Sequence, residues 1–402
     1  MRARAGHARV IMLDRLSPQA PDALLALIRL HAADPRSDKI DLGVGVYRTE
    51  DGATPVFAAI KAAEQALLDT QDSKSYLGPE GDMGFVNALM PYIFGADPTM
   101  GGRIQGMQTP GGTGAVRLAL GLAQKAGVKR VHMGVPSWPN HAQILADLGM
   151  ELVPFDHAKA DGTANLDAVL SAINGAAADE AVLLHACCHN PTGIDYTADQ
   201  WDAIADAFAS SGTFPIIDSA YQGLGHGMEE DAAGMRAVLA KVPEAFIAYS
   251  CDKNFGQYRD RVGAFYVLAA EAGALDTAFS NANALARAAW SMPPDHGGAA
   301  VRIILRDAKM TKQWLAELDD MRARMRDVRD ALAKAGTAGR IDLTPLGHQN
   351  GLFSMLPVTK EEVAQLREDH GIYMAASGRI NIAGLTKANL PKFIAALAAV
   401  AV

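Results

Sequence analysis

The chain has 402 residues, 49% of them hydrophobic, with a formal net charge of -8 and 3 cysteines. That length exceeds one compact core and implies two domains with ample apolar material for burial. The acidic balance excludes a nucleic-acid-binding surface and no apolar run approaches the ~18 residues of a membrane span, while Cys187, Cys188 and Cys251 give neither a disulfide framework nor a metal-ligand spacing, which points to a reducing cytoplasm.

The opening MRARAGHARVIML is basic yet lacks the apolar stretch of ~7 or more residues of a secretory signal, so residues 1–11 read as a disordered extension or a misplaced start. TPGGTGAVRLALGLAQ (109–124) runs glycines into an apolar helical pattern, with Thr113 at the expected N-cap and Leu118, Leu122 and Ala126 on one face. Free backbone N–H groups at such a helix start form an anion site. Apolar, β-rich runs follow at VHMGV, ELVPF, AVLLHA, FPIID, AFIAYS and AFYVL, separated by helical patterns such as WDAIADAFASSG. This alternation is what a helix-covered, mostly parallel sheet requires. Ligand groups collect at the carboxyl ends of such strands, where the sequence puts HNPTG (189–193) and then Asp218 and Tyr221 of FPIIDSAYQG (214–223).

Next, SCDKNFGQYRDRVGA (250–264) sets Lys253 just past an apolar run, with Arg261 farther along. A lysine held out of bulk water beside a fixed anion site suits imine formation, with Ser250 and Arg261 as the hydroxyl and guanidinium that grip a phosphate. Cys251 reads as a small buried filler. From Gly297 to Gly336 a nearly uninterrupted helical pattern marks the best boundary region, its arginines and aspartates reading as a solvated face. Short strands at GLFSML, IYMAA and RINIA precede a final apolar helix, consistent with a smaller α/β domain.

DLGVGVYR (41–48), SYLGPEG (75–81), TPGGTGA (109–115), PSWPNH (136–141), HACCHNPTGID (185–195), DSAYQG (218–223), the Lys253 segment and ASGRINIAG (376–384) follow one another in an order that resembles a known family. The sequence is similar to class I aminotransferases of pyridoxal-phosphate fold type I, in the aspartate and aromatic amino-acid branch, from about Met12 onward. The resemblance implies an α/β fold: a large domain over residues 54–318, with a mostly parallel seven-stranded sheet covered by helices, and a small discontinuous domain from 12–53 and 319–402. It implies pyridoxal 5'-phosphate as cofactor, no metal, and ping-pong transfer of the amino group of aspartate and/or tyrosine, phenylalanine and tryptophan to 2-oxoglutarate. A β-lyase or decarboxylase on the same scaffold is the alternative. A nicotinamide enzyme fits less well, because TPGGTGA lacks G-x-G-x-x-G spacing.

Residue roles come with the resemblance. Lys253 carries the cofactor and moves the Cα proton, Asp218 faces the pyridine nitrogen, and Tyr221 and Asn190 hydrogen-bond the ring's phenolic oxygen. Trp138 stacks on the cofactor and, with Asn190, lines the substrate site. Backbone N–H groups of Gly112 and Thr113, the Ser250 hydroxyl and Arg261 hold the phosphate. Tyr76 reaches the phosphate of a neighbouring subunit, which implies a homodimer with shared sites. Arg379 pairs with the substrate's α-carboxylate and Arg287, from the other subunit, with a distal one. Gly45, with Val44 and Tyr47, belongs to the segment that closes over substrate. His141 and His189 stand behind the carboxylate and the ring. Two departures are notable. Asp252 replaces a usual small residue such as serine and Gln257 a usual aliphatic; a carboxylate there repels phosphate unless it faces away or pairs with Arg259 or Arg261. Trp290 and Met292 stand where aspartate-specific relatives carry more polar side chains, and the larger apolar surface favours aromatic side chains alongside dicarboxylates.

Overall fold

The computed structural model describes residues 12–18 and 23–402, so the expected extension at 1–11 lies outside the described residues. A short strand, β1 (Ile40–Asp41), precedes the strands of the main sheet: β2 (Ile104–Pro110), β3 (Arg130–Val135), β4 (Glu151–Asp156), β5 (Glu180–His185), β6 (Phe214–Ser219), β7 (Ala245–Ser250) and β8 (Val262–Leu268). These form one seven-stranded sheet in the order β2-β8-β7-β6-β5-β3-β4. Every pair from β7 across to β4 is parallel, and β8 runs antiparallel to both β2 and β7. Strands β5 to β8 are almost wholly buried and read as continuous apolar runs, because helices cover both faces. The edge strand β4 is mostly exposed or half-buried and carries Pro154, whose missing N–H an edge tolerates.

Register brings the functional segments together. His185 pairs with Asp218, Asp218 with Ala248, and Ser250 with Gly263, so β5, β6 and β7 all end at one rim of the sheet. The helix Gly111–Lys125 starts from that rim directly after β2.

A smaller group of elements unites the two ends of the chain. β1 pairs in parallel with β12 (Ile372–Tyr373), after the hairpin of β9 (Thr337–Ala338) and β10 (Ile341–Asp342) and the strand β11 (Phe353–Met355). β11 in turn pairs antiparallel with β13 (Arg379–Asn381). The 28-residue helix Ala308–Ala335 joins this group to the main sheet. Its buried Trp314, Leu318, Met321, Met325, Val328 and Leu332 recur at spacings of three and four, one face of a helix. Trp314 stacks on Phe255 at 4.2 Å and its indole N–H donates to the Asn254 carbonyl, anchoring the turn that carries Lys253. No helix among the described residues is long and apolar enough to cross a membrane.

Four local expectations need correction. Strand β2 was not anticipated: IQGMQTP lacks an apolar alternation, and Gly106 is needed because a Cβ there would lie 2.3 Å from the Tyr266 ring. Thr113 is not an N-cap; the helix begins at Gly111 behind Pro110, and Ala126 is an exposed C-cap rather than part of the buried face. The pattern from 297 to 336 is two helices, His296–Arg306 and Ala308–Ala335, because Asp307 leaves helical geometry and its carboxylate accepts from the amides of Lys309 and Met310. Arg329 on that second helix is 1% exposed, not solvated, because five backbone and hydroxyl oxygens surround its guanidinium.

Candidate active site

A cavity of about 250 Å³ opens at the rim where the strands end, and Gly45, Gly112, Thr113, Trp138, Asn190, Asp218, Tyr221, Lys253 and Arg261 all line it. Lys253 sits in the turn after β7, half-buried, with Nζ 5.2 Å from the centre of the Tyr221 ring. Burial lowers its pKa from the ordinary lysine value, while Asp252 and Asp218 oppose the shift. An amine so placed is more easily deprotonated, which is the nucleophilic form.

Asp218 is 6% exposed, and Oδ2 lies 2.9 Å from His141 Nε2. Burial by itself raises a carboxyl pKa, yet the His141 hydrogen bond and the neighbouring charges outweigh it and hold Asp218 below its usual value. An ionised carboxylate only accepts, so His141 Nε2–H is the donor and Nδ1 is left facing the Ser137 hydroxyl at 3.1 Å. Trp138, immediately before the helix Pro139–Asp147, meets the His141 ring edge-on at 5.0 Å.

Asn190 follows β5 and its Nδ2–H donates to the Tyr221 hydroxyl at 3.3 Å, while Asn190 Oδ1 is buried without a partner among the described residues. Burial pushes the Tyr221 phenol well up, so it keeps its proton. On the other wall, the first turn of the helix Gly111–Lys125 faces Ser250 so closely that a Cβ on Gly112 would lie 2.9 Å from the Ser250 Cβ. Arg261, itself at φ 56, donates Nη1–H to the Tyr258 carbonyl at 3.1 Å and also contacts Asp252. Backbone N–H groups at a helix start, a hydroxyl and a guanidinium together form an anion cup.

The remaining candidates lie outside the cavity lining. Ser250 is buried behind the helix start. Arg379 lies with its guanidinium 4.5 Å from the centre of the Phe353 ring, and Tyr221 meets the same ring edge-on. Burial lowers the Arg379 pKa from the ordinary arginine value, its Nη2–H donates to the Gly43 carbonyl at 2.9 Å, and Nε is buried without a partner among the described residues. Arg287 and Tyr76 are exposed and do not enter this chain's own cavity. They lie on neighbouring surface segments, linked where the Leu77 amide donates to Met292 Sδ at 3.1 Å. Trp290 is half-buried, with its indole nitrogen unpartnered among the described residues. Val44 and Val46 are held through their carbonyls by Asn381 Nδ2, and a Cβ on Gly45 would strike Phe353 at 2.6 Å.

Sequence reasoning gave no site role to four lining residues, His185, Cys187, Ala220 and Tyr258. Tyr258 accepts the Tyr47 amide on its hydroxyl at 2.9 Å and so ties the segment at 44–47 to the cofactor side. His185 belongs to a quoted motif; burial first, and then His141, push its pKa down to about 3, so it is neutral. His189 stands in a row of imidazoles: its ring is 4.4 Å from His185 and stacked at 3.4 Å on His157. Cys251 is fully buried and burial raises its pKa, in keeping with a filler.

The description "Aminotransferase class I and II" belongs to the family model that matches residues 37–397. A tyrosine aminotransferase of Rhizobium meliloti (strain 1021) is 48% identical over 378 residues, covering 94% of this chain and 97% of that protein. An aspartate aminotransferase of Escherichia coli (strain K12) is 42% identical, covering 97% of this chain and 100% of that protein. A solved aromatic-amino-acid aminotransferase from Burkholderia pseudomallei, covalently bound to pyridoxal phosphate, superimposes with a TM-score of 0.93 at 33% identity, covering 98% of this chain and 100% of the other. With the family model matching nearly its whole length and such relatives aligned end to end, the chain belongs to the class I and II aminotransferases.

Proposed function

We infer that this aminotransferase takes aspartate and/or aromatic amino acids as donors and passes the amino group to 2-oxoglutarate, the nitrogen staying on the enzyme between the two half-reactions. The observation that carries this reading is the placement of Lys253, Asp218, Asn190 and Tyr221 around one cavity that ends in an anion cup. The cofactor is pyridoxal 5'-phosphate, and the residues fit it. Gly112, Thr113, Ser250 and Arg261 suit its phosphate, the orphaned Asn190 Oδ1 and the protonated Tyr221 suit a polar ring substituent, and Asp218 suits a ring N–H. When bound, the cofactor supplies an aldehyde for the amino group and a ring that accepts the electron pair released at Cα.

The chain's own groups do the rest. Asp218, ionised and fixed by His141, holds negative charge where the ring nitrogen must stay protonated. Lys253, with its depressed pKa, would take the proton from Cα and deliver it across the amino nitrogen to the carbon that the cofactor's aldehyde supplies. Arg379 has no partner for Nε among the described residues and offers it to the α-carboxylate. The segment at 44–47, tied to Tyr258 and Asn381, covers the substrate and excludes water.

Several further features belong to the same proposal. The large domain spans 54–318, and the small domain joins 12–53 to 319–402, a division favoured by the pairing of β1 with β12. The enzyme is a homodimer: Tyr76 and Arg287 are exposed, lie on linked segments and do not line the cavity of their own chain, as residues lent to a second copy would. Three free cysteines agree with a cytoplasmic home.

A donor scan with and without 2-oxoglutarate tests the reading. Glutamate should form from aspartate, tyrosine or phenylalanine only when the oxo acid is present. Pyruvate or carbon dioxide released without it would instead establish a lyase or decarboxylase. Trp290→Ala should lower kcat/KM for phenylalanine more than for aspartate, and equal losses would contradict an apolar pocket wall there.

A further inference from the structure

One charged group in the cavity has no part in amino transfer. Asp252 is 1% exposed and lines the cavity beside Lys253 and Arg261. Its Oδ1 accepts the Val262 amide at 3.1 Å, and Oδ2 is in contact with Arg261 Nη1. A Cβ placed on Gly111 would lie 2.7 Å from Arg261 Nη2 and 3.0 Å from Asp252 Oδ2, so the carboxylate and the guanidinium both press against the first turn of the helix that forms the anion cup. Asp252 therefore does not face away from the cup. Its amide also donates to Ser250 Oγ at 3.2 Å, which leaves the Ser250 hydrogen to point elsewhere.

The charges do not balance once a phosphate enters. A phosphate dianion beside an ionised Asp252 sets three negative charges against Arg261 and the partial positive charge of about half a unit at the helix start. The amine of Lys253 is consumed in carrying the cofactor, so it gives no lasting relief. Among the described residues the Cys251 thiol and the Tyr258 phenol also face Asp252, both neutral because burial raises them, and the helix turn Gly111 to Gly114 brings no charged side chain. In the proposed homodimer Tyr76 of the partner subunit adds a donor but no charge. Two anions forced to share one cation retain a proton between them.

We propose that Asp252 shares Arg261 with the cofactor phosphate and that this carboxyl–phosphate pair binds one proton from solvent near neutral pH, so that cofactor retention weakens as the pH rises. The inference rests on the cofactor reading above. Even without phosphate, burial holds the Asp252 carboxyl above its usual value against the pull of Lys253 and Arg261. A second anion pushes the same way. The sign follows: retention is complete while the pair keeps its proton and falls as the pair loses it.

The test is a ³¹P NMR titration of the loaded holoenzyme from about pH 6 to about pH 9, around the second ionisation of a phosphate monoester, for the wild type, Asp252→Ser and Asp252→Asn. Cofactor release is followed by dialysis at both ends of the range. The wild-type phosphate resonance should move with pH, and release should be at least about tenfold faster at the high end. In both variants the resonance should stay at the dianion position and release should be slow throughout. Asp252→Asn keeps an acceptor for the Val262 amide, so a change caused only by lost local structure would appear in Asp252→Ser alone and would overturn the proposal. A wild-type resonance fixed at the dianion position would also overturn it, leaving the transaminase reading intact. Failure of pyridoxal phosphate to attach to Lys253 at all would remove both.

Discussion

Asp218 lies 2.9 Å from His141 Nε2, with a carboxyl pKa held below its usual value, so it is charged across the neutral range. An amide in its place could not hold a ring nitrogen protonated. Asp218→Asn should therefore reduce kcat by at least about 100-fold, whereas Asp218→Glu should recover part of the loss; near-normal turnover by the amide variant in a stopped-flow assay would contradict the role. Most of this cavity was legible residue by residue, because motifs such as HNPTG and DSAYQG sit at strand ends and strand ends converge. Tyr258 was not, although it stands in a quoted segment. Nothing in local spacing reveals that its hydroxyl will receive the amide of Tyr47, 211 positions away. The reach of Arg379 across Phe353 is equally a product of how β11 and β13 pair.

At the scale of elements, the helix Ala308–Ala335 is where sequence patterning was both useful and misleading. Its apolar spacing predicts a helix, but the same charged composition that suggests a solvated face hides Arg329. That guanidinium donates to the carbonyls of Leu346, Asn350, Gly351 and Phe353 and to the Ser354 hydroxyl, tying the helix to β11. Burial pushes its pKa down to about 9, so it remains charged at neutral pH. Arg329→Ala would strand several buried acceptors at once, at a cost of about 3 kcal/mol or more. A clear fall in the urea midpoint at unchanged slope should report it; a shift worth less than about 1 kcal/mol would mean that water or neighbouring donors satisfy those carbonyls. β2 was illegible for a different reason. Its glutamines and Gly106 carry little strand signal, and its place is set by pairing with β8 and by close approach of Tyr266.

For the whole molecule, the alternation of apolar strands and helical patterns was enough to anticipate a mostly parallel sheet, since such sheets bury both faces. Which copy of the chain completes which site is beyond any single sequence, and a mixing experiment decides it. Lys253→Ala and Arg287→Ala should each remove aspartate activity when alone. If Arg287 serves the partner's site, reassorted dimers carry one intact site each and the mixture recovers about one quarter of wild-type activity; if it serves its own chain, mixing restores nothing. The central claim is narrower than either of these and rests on one nitrogen atom, the Lys253 Nζ. Reduction of the cofactor-loaded enzyme with borohydride, followed by peptide mass mapping, should place the pyridoxyl group on Lys253 and should find none in Lys253→Ala. A pyridoxyl group on another lysine, or on none, in fully loaded protein would contradict the account.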